Sequence, residues 1–422
     1  MAITIESNFG TYIPVYNPVI ASVSSTNTGE TNFKYVARVT VEGVSGTRDF
    51  EAKPDPDYSD GQFDLHNYLQ TFVKANVGDP TIGAGFSYAD QSIKKFSVAF
   101  YEKWDVAGVP TLDPDENGAV SSGDKYVFEG SFNYNEWLLW DYSTFVPNLT
   151  NLTNGQFLTT NKTPEVAIED VGWTYYLTDS ASDVNYVQIK TYDITGTLID
   201  TFEINNTVTL SGTAPKMCKI ASAPESLNEV PGGLFATGTP PVITSSVAYY
   251  TYQLFDNTTA AVSEILTFTI QEPCRYTQYR LIYENKYGGF DGFNFTGRNT
   301  QMETMEKSSY KTDAYPVVSG GFNYLHRRQS NVTHYIKRTE KIKLQTRYLT
   351  TEEMNHLREL MYSPEIYLQF DKETGEQGST QDLKAVHKIV QNSWEEKITE
   401  HDKLFKLSIE IELSHNAFSQ RK

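Results

Sequence analysis

Residues 274–297, CRYTQYRLIYENKYGGFDGFNFTG, decide how the rest of the chain is read. Tyr276, Gln278, Arg280, Ile282 and Glu284 alternate with Thr277, Tyr279, Leu281 and Tyr283, which predicts a strand whose second face is the more apolar. The stretch from Asn285 to Gly289 breaks it. Gly288 and Gly289 reach positive φ at no steric cost, so the chain can reverse tightly there, and Phe290, Phe293 and Phe295 follow on a returning strand. The expectation is an aromatic hairpin. Before it the pattern is one of β-domains with acidic loops; after it the chain is more basic and contains the strongest helical pattern. The hairpin is therefore the expected start of a C-terminal domain.

The totals agree with such a chain. Its 422 residues exceed one ordinary core and suffice for about two to four domains. With 28 Tyr and 23 Phe, burial is ample and the composition is that of a folded protein. No run of about 18 apolar residues occurs, so no membrane span is expected. The opening MAITIESNFGTYIPVY has neither a basic nor an apolar leader region, so the chain is expected to be made and folded in a cytoplasm. Cys218 and Cys274 show no metal or redox spacing and read as buried free thiols. A net charge of −18 argues against nucleic acid as a general partner.

Upstream of the hairpin, residues 1–146 read as a β-sandwich domain. Phe33, Tyr35, Ala37, Val39 and Val41 line one face of a strand, while Phe63, Leu65, Tyr68, Leu69, Phe72 and Val73 suggest one short helix with Asp64 near its start. The Asn/Thr-rich segment 147–164 has the composition of a linker. Residues 165–273 hold at least four strand patterns, with a hairpin turn at Asp193–Gly196, and read as a second sandwich. Residues 274–422 form the expected α+β assembly domain. There a mobile-looking segment, 297–321, precedes a long strand through Val332, His334, Ile336, Arg338, Ile342 and Leu344. A helix over about 351–362 follows, with Thr350 or Thr351 as N-cap, Glu352 and Glu353 in the first turn, Met354, Leu357, Leu360 and Met361 as its apolar stripe, and Ser363-Pro364 as its stop. The fold class expected is mainly β, with three consecutive β-rich, sandwich-like domains and one prominent helix in the last.

Catalytic signatures are not found: the chain has no GxSxG, Walker A, dinucleotide or HExxH motif. The seven histidines are scattered without ligand spacing. One loop follows the calcium template, placing Asp113, Asp115, Asn117, Ser121 and Asp124 at oxygen-ligand positions with Gly118 at the turn. Asp, Asn and Gly are equally ordinary hairpin residues, so a solvated acidic loop is the competing reading. No other cofactor is expected. The aromatics, with Trp104, Trp137, Trp140, Trp173 and Trp394 spread along the chain, suit core and interface packing, and also suit stacking on sugars.

Charge is segregated. Between Arg298 and Arg347 there are ten Lys and Arg against four Asp and Glu, a net +6 that leaves −24 for the remainder. Copies placed round a ring can set such a stretch against an acidic neighbour, so Arg327, Arg328, Lys337 and Arg338, with Tyr310, Tyr315 and Tyr324 as apolar anchors, are the candidate assembly interface. Lysines that shield an exposed strand edge are the alternative.

Five segments carry a resemblance: YNPVI (16–20), NFKYVARVTVEG (32–43), NKYGGFDGFNFTG (285–297), LTTEEMNHLRELMYSPEIYL (349–368) and DKLFKLSIEIELS (402–414). They resemble virion proteins of tailed phages infecting Bacteroidota, in particular tail-tip or baseplate components. The resemblance implies a non-enzymatic structural protein of the virion tail that assembles symmetrically with copies of itself and joins neighbouring hub or fibre proteins. The reading from another class is a carbohydrate-binding protein or glycan-active enzyme, for which carboxylates about 5–10 Å apart beneath an exposed Trp or Tyr would be the mark.

Overall fold

The computed structural model describes residues 3–75, 77, 85–115, 118–148, 155–179, 184–208, 216–271, 276–312, 317–318, 320–322, 330–371, 381–390, 406–414 and 419–421. The protein is mainly β: among the described residues strands make up 49% and helices 10%, and the strands form several sheets. The chain divides into two compact units, one of residues 1–271 with 284–291, the other of residues 272–283 with 292–422.

Within the first unit, two sandwiches are built by alternation. Ile3–Ser7, Ile20–Ser25 and Gly61–Asp64 form one antiparallel sheet. Facing it is a larger sheet in the order Tyr12–Pro14, Lys125–Phe128, Ile93–Val106, Lys34–Val41, Arg48–Ala52. Val23, Tyr35, Ala37, Val39, Val98 and Phe100 are buried together between them. This is the face expected from the sequence of Lys34–Val41. In the other sandwich, Glu165–Val166, Leu266–Ile270, Tyr249–Phe255, Tyr186–Tyr192, Leu198–Asn205 and Phe235–Thr237 lie side by side, against a sheet of Trp173–Thr178, Lys216–Ala221 and Phe86–Tyr88. Val187, Ile189, Tyr250, Tyr252, Tyr176, Cys218 and Ile220 share that core. Phe157 and Leu158, inside the expected linker, are fully buried.

Three short helices differ from expectation. The stripe from Phe63 to Val73 makes only the single turn His66–Leu69, because Phe63 is already paired with Ala21 as a strand residue. Tyr134–Leu138 is a second helix in the region read as a β-sandwich with one helix, closed by a capping box between Asn133 and Glu136. Pro224–Asn228, with proline in its first turn, is a helix within the region read as an all-strand second sandwich.

The tip of the aromatic hairpin, 284–291, belongs to the first unit. Its turn is closed by the Asn285 N–H donating to the Gly289 carbonyl at 2.9 Å. Asn285 Nδ2 donates to the Leu158 carbonyl at 2.8 Å, and Lys286 pairs with Glu136 at 2.8 Å. The Tyr287 ring packs among Phe132, Phe145 and Trp140. Gly288, at φ +75°, lies so close to the Glu129 carbonyl that a Cβ would sit 1.7 Å from its oxygen. Only glycine fits both conditions.

The remaining large sheet has the order Phe290–Phe295, Tyr279–Glu284, Ile366–Asp371, Gln381–Ile389, Ser408–Leu413, Asn331–Gln345 and Thr300–Lys311, with Ser419–Arg421 also on Asn331–Gln345. Tyr279–Glu284 buries both faces rather than one. Arg280 is accommodated because Gly292 leaves room for its guanidinium, which donates to Asn294 Oδ1 at 3.2 Å. The helix Thr351–Tyr362 begins at N-cap Thr350 as expected, with Glu353 completing the capping box. Its Met354, Leu357 and Leu360 pack on Leu281, Tyr283, Ile342, Leu344, Ile409 and Ile411.

Candidate assembly surface

Within the segment read as mobile, Thr300–Lys311 is a strand exposed at every position. It runs antiparallel to Asn331–Gln345, from Thr300 opposite Lys343 to Lys311 opposite Asn331, with a bulge between Ser308 and Ser309 that leaves His334 over. Ser408–Leu413 supports only Lys341–Gln345, and Ser419–Arg421 only Tyr335–Lys337. Elsewhere the two strands form a ribbon whose described support is each other.

Its faces differ in origin. Ile342 and Leu344 are buried in the core, and the same face continues outward through Glu340, Arg338 and Ile336. On the facing strand Gln301, Glu303, Met305 and Lys307 share that side by register. Arg338 is bonded to Glu303 and lies 3.3 Å from Glu340, so its charge is held within its own chain. Nearer the core, Lys341 meets Glu410 at 3.0 Å. Met302, Met305 and Tyr310 are exposed by 38%, 58% and 51%, which for two methionines and a tyrosine on one strand is unusual display of apolar surface. The Tyr310 ring stands edge-on to His334 at 5.8 Å.

Of the residues expected at the interface, Tyr310, Lys337 and Arg338 are therefore on this ribbon, with Lys337 opposite Glu306 in register. Arg327, Arg328, Tyr315 and Tyr324 lie outside the described residues. Glu303, Met302 and Met305 were missed. A strand exposed on both faces has no apolar alternation to reveal it, and the length of its partner was the only available signal.

The acidic loop has partners of its own. Asp113, at φ +49°, accepts from the Gly118 N–H at 2.9 Å, and Asp124 pairs with Lys95 at 3.1 Å. Asp115 Oδ2 is 3.4 Å from Asn27 Nδ2, Ser121 Oγ accepts from the Gly123 N–H at 3.1 Å, and Asn117 lies outside the described residues. Among the described residues no three His, Cys, Asp or Glu side chains form a group able to hold a metal ion. Trp104 and Trp173 are buried, and Trp140 donates from Nε1 to the Tyr12 carbonyl at 2.9 Å. Trp394 lies outside the described residues. No described helix is long and apolar enough to cross a membrane.

The chain matches no protein-family model and no curated protein sequence.

Proposed function

We propose that the protein is a non-enzymatic structural component of a phage virion, at the tail tip or baseplate, which assembles symmetrically with its own copies and holds neighbouring tail proteins. The observation that carries this reading is the ribbon of Thr300–Lys311 and Asn331–Gln345. A two-stranded ribbon supported for much of its length, among the described residues, only by itself is marginal in water, and a strand at the described sheet edge bearing exposed methionines invites aggregation. A free monomer gains nothing from such an element. In an assembly the same surface becomes covered, and the basic charge of 298–347 meets acidic surface on a neighbour. The segments resembling tail-tip proteins support this choice of place, and the charge balance supports a protein partner over nucleic acid.

Electron microscopy of whole virions tests the reading. Density for this chain at the tail tip is the expected result. Recovery of the chain only as a soluble protein, separate from particles, would overturn it.

A further inference from the structure

Among the described residues only Asn331–Gln345 hydrogen-bonds to Thr300–Lys311, so the other edge of this strand presents a row of unpaired backbone donors and acceptors. We propose that a second copy of the chain adds here, its own Thr300–Lys311 antiparallel to the first, about a two-fold axis through Met305. The proposal rests on reading this region as an assembly surface and names both the partner and the register.

The register follows from charge. When identical strands pair antiparallel about a two-fold axis, residues opposite each other share a face, so the axis must pass midway between one residue and its own copy. With Met305 on the axis, Glu303 of each copy faces Lys307 of the other, on the same side as Met305. The strongly exposed Met305 side chains of the two copies then cover each other. Tyr310 meets Thr300, Met302 meets Ser308 and Thr304 meets Glu306.

Neighbouring registers are worse. An axis at Glu306 sets that carboxylate against itself, and one at Lys307 does the same for the ammonium. An axis at Thr304 leaves Glu303 opposite Met305 and Lys307 opposite Gln301, with neither charge matched. An axis at Glu303 again opposes like charges. Charges on an edge strand commonly prevent pairing. Here their spacing matches Glu303 with Lys307 in one pairing and in none of its neighbours, which is how a specific contact is selected.

Cross-linking reads the register directly. In the full chain carrying Cys274→Ser, Met305→Cys and Met302→Cys are compared under mild oxidation. Opposed residues of an antiparallel pair have Cα atoms about 4.5–5.5 Å apart, within disulfide reach, whereas position 302 would be about 20 Å from its own copy. A covalent dimer is expected from Met305→Cys and not from Met302→Cys. In sedimentation velocity, Glu303→Lys or Lys307→Glu alone should weaken self-association about tenfold, and the two together should restore it. Restoration isolates the pairs between copies, because the double variant still lacks the bond from Glu303 to Arg338. Equal cross-linking at both positions, none at 305, or a double variant no better than the single ones overturns the proposal. Should that happen while microscopy finds the chain in the tail, the edge pairing fails and the virion reading stands.

Discussion

Gly288 joins two constraints that no other residue satisfies, a positive φ and a carbonyl oxygen in the space of a side chain. Gly288→Ala should lower stability by about 3 kcal/mol or more, since the Glu129 backbone must move as well as the turn. Gly118→Ala is the control: its φ is +77° but nothing lies within 4 Å, so strain alone should cost about 1 kcal/mol. Urea denaturation of the full chain, followed by tryptophan fluorescence, measures both, and equal effects would contradict the close approach. Cys218 makes a second claim at this scale. Burial pushes its thiol up to about 12, so in a Cys274→Ser background it should react with a thiol reagent only as fast as the protein unfolds. Labelling at native conditions at the rate of a free thiol would refute this. The turn itself was legible because two adjacent glycines encode φ locally. Its neighbours Glu129 and Tyr175, distant in sequence, leave no local trace.

Elements were legible where burial alternated. Lys34–Val41 and Thr351–Tyr362 each show one apolar face in sequence and bury that face in the fold. The Asn133 to Glu136 spacing is a capping box like that of Thr350 and Glu353, yet the residues after it are apolar without helical period, so the sequence does not mark a helix there. Thr300–Lys311 escaped for the opposite reason, since no face of it is buried. The Thr351–Tyr362 helix also yields a pH prediction. Burial raises the Glu353 carboxyl, but bonds from Arg347 and Thr350 outweigh this and hold it below its ordinary value. A carboxylate with a folded pKa below its unfolded value, about 4.3, stabilises above that pH and ceases to do so as pH falls through the folded pKa. Glu353→Gln should therefore cost about 1 kcal/mol near neutrality, through the weakened cap and the lost pair with Arg347. Thermal melts should show the gap closing as pH drops below about 4. A gap that stays constant into acid would mean that packing, and not the charge, is what the substitution disturbs.

At the scale of the whole molecule, the charge that composition reveals is unevenly spread, with +6 between Arg298 and Arg347 and −24 elsewhere. Part of that positive charge is satisfied internally, as Arg338 and Lys341 show by pairing with Glu303, Glu340 and Glu410. On the proposed reading, the excess that remains would meet a neighbouring copy. Attraction between exposed charges decays over about 8 Å at physiological salt, so it speeds encounter and fixes orientation while close contacts hold the product. Assembly of the wild-type chain should accordingly slow as salt rises from about 0.05 M to about 0.5 M. Reversing Arg327, Arg328 and Arg338 to Glu takes the stretch from +6 to zero net charge. The triple variant should assemble slowly, with little dependence on salt, as followed by light scattering in stopped flow. Circular dichroism establishes that it is folded before the comparison is made. If it matches wild type in both rate and salt slope, these cations only shield a strand edge, and the surface that joins copies lies outside this stretch.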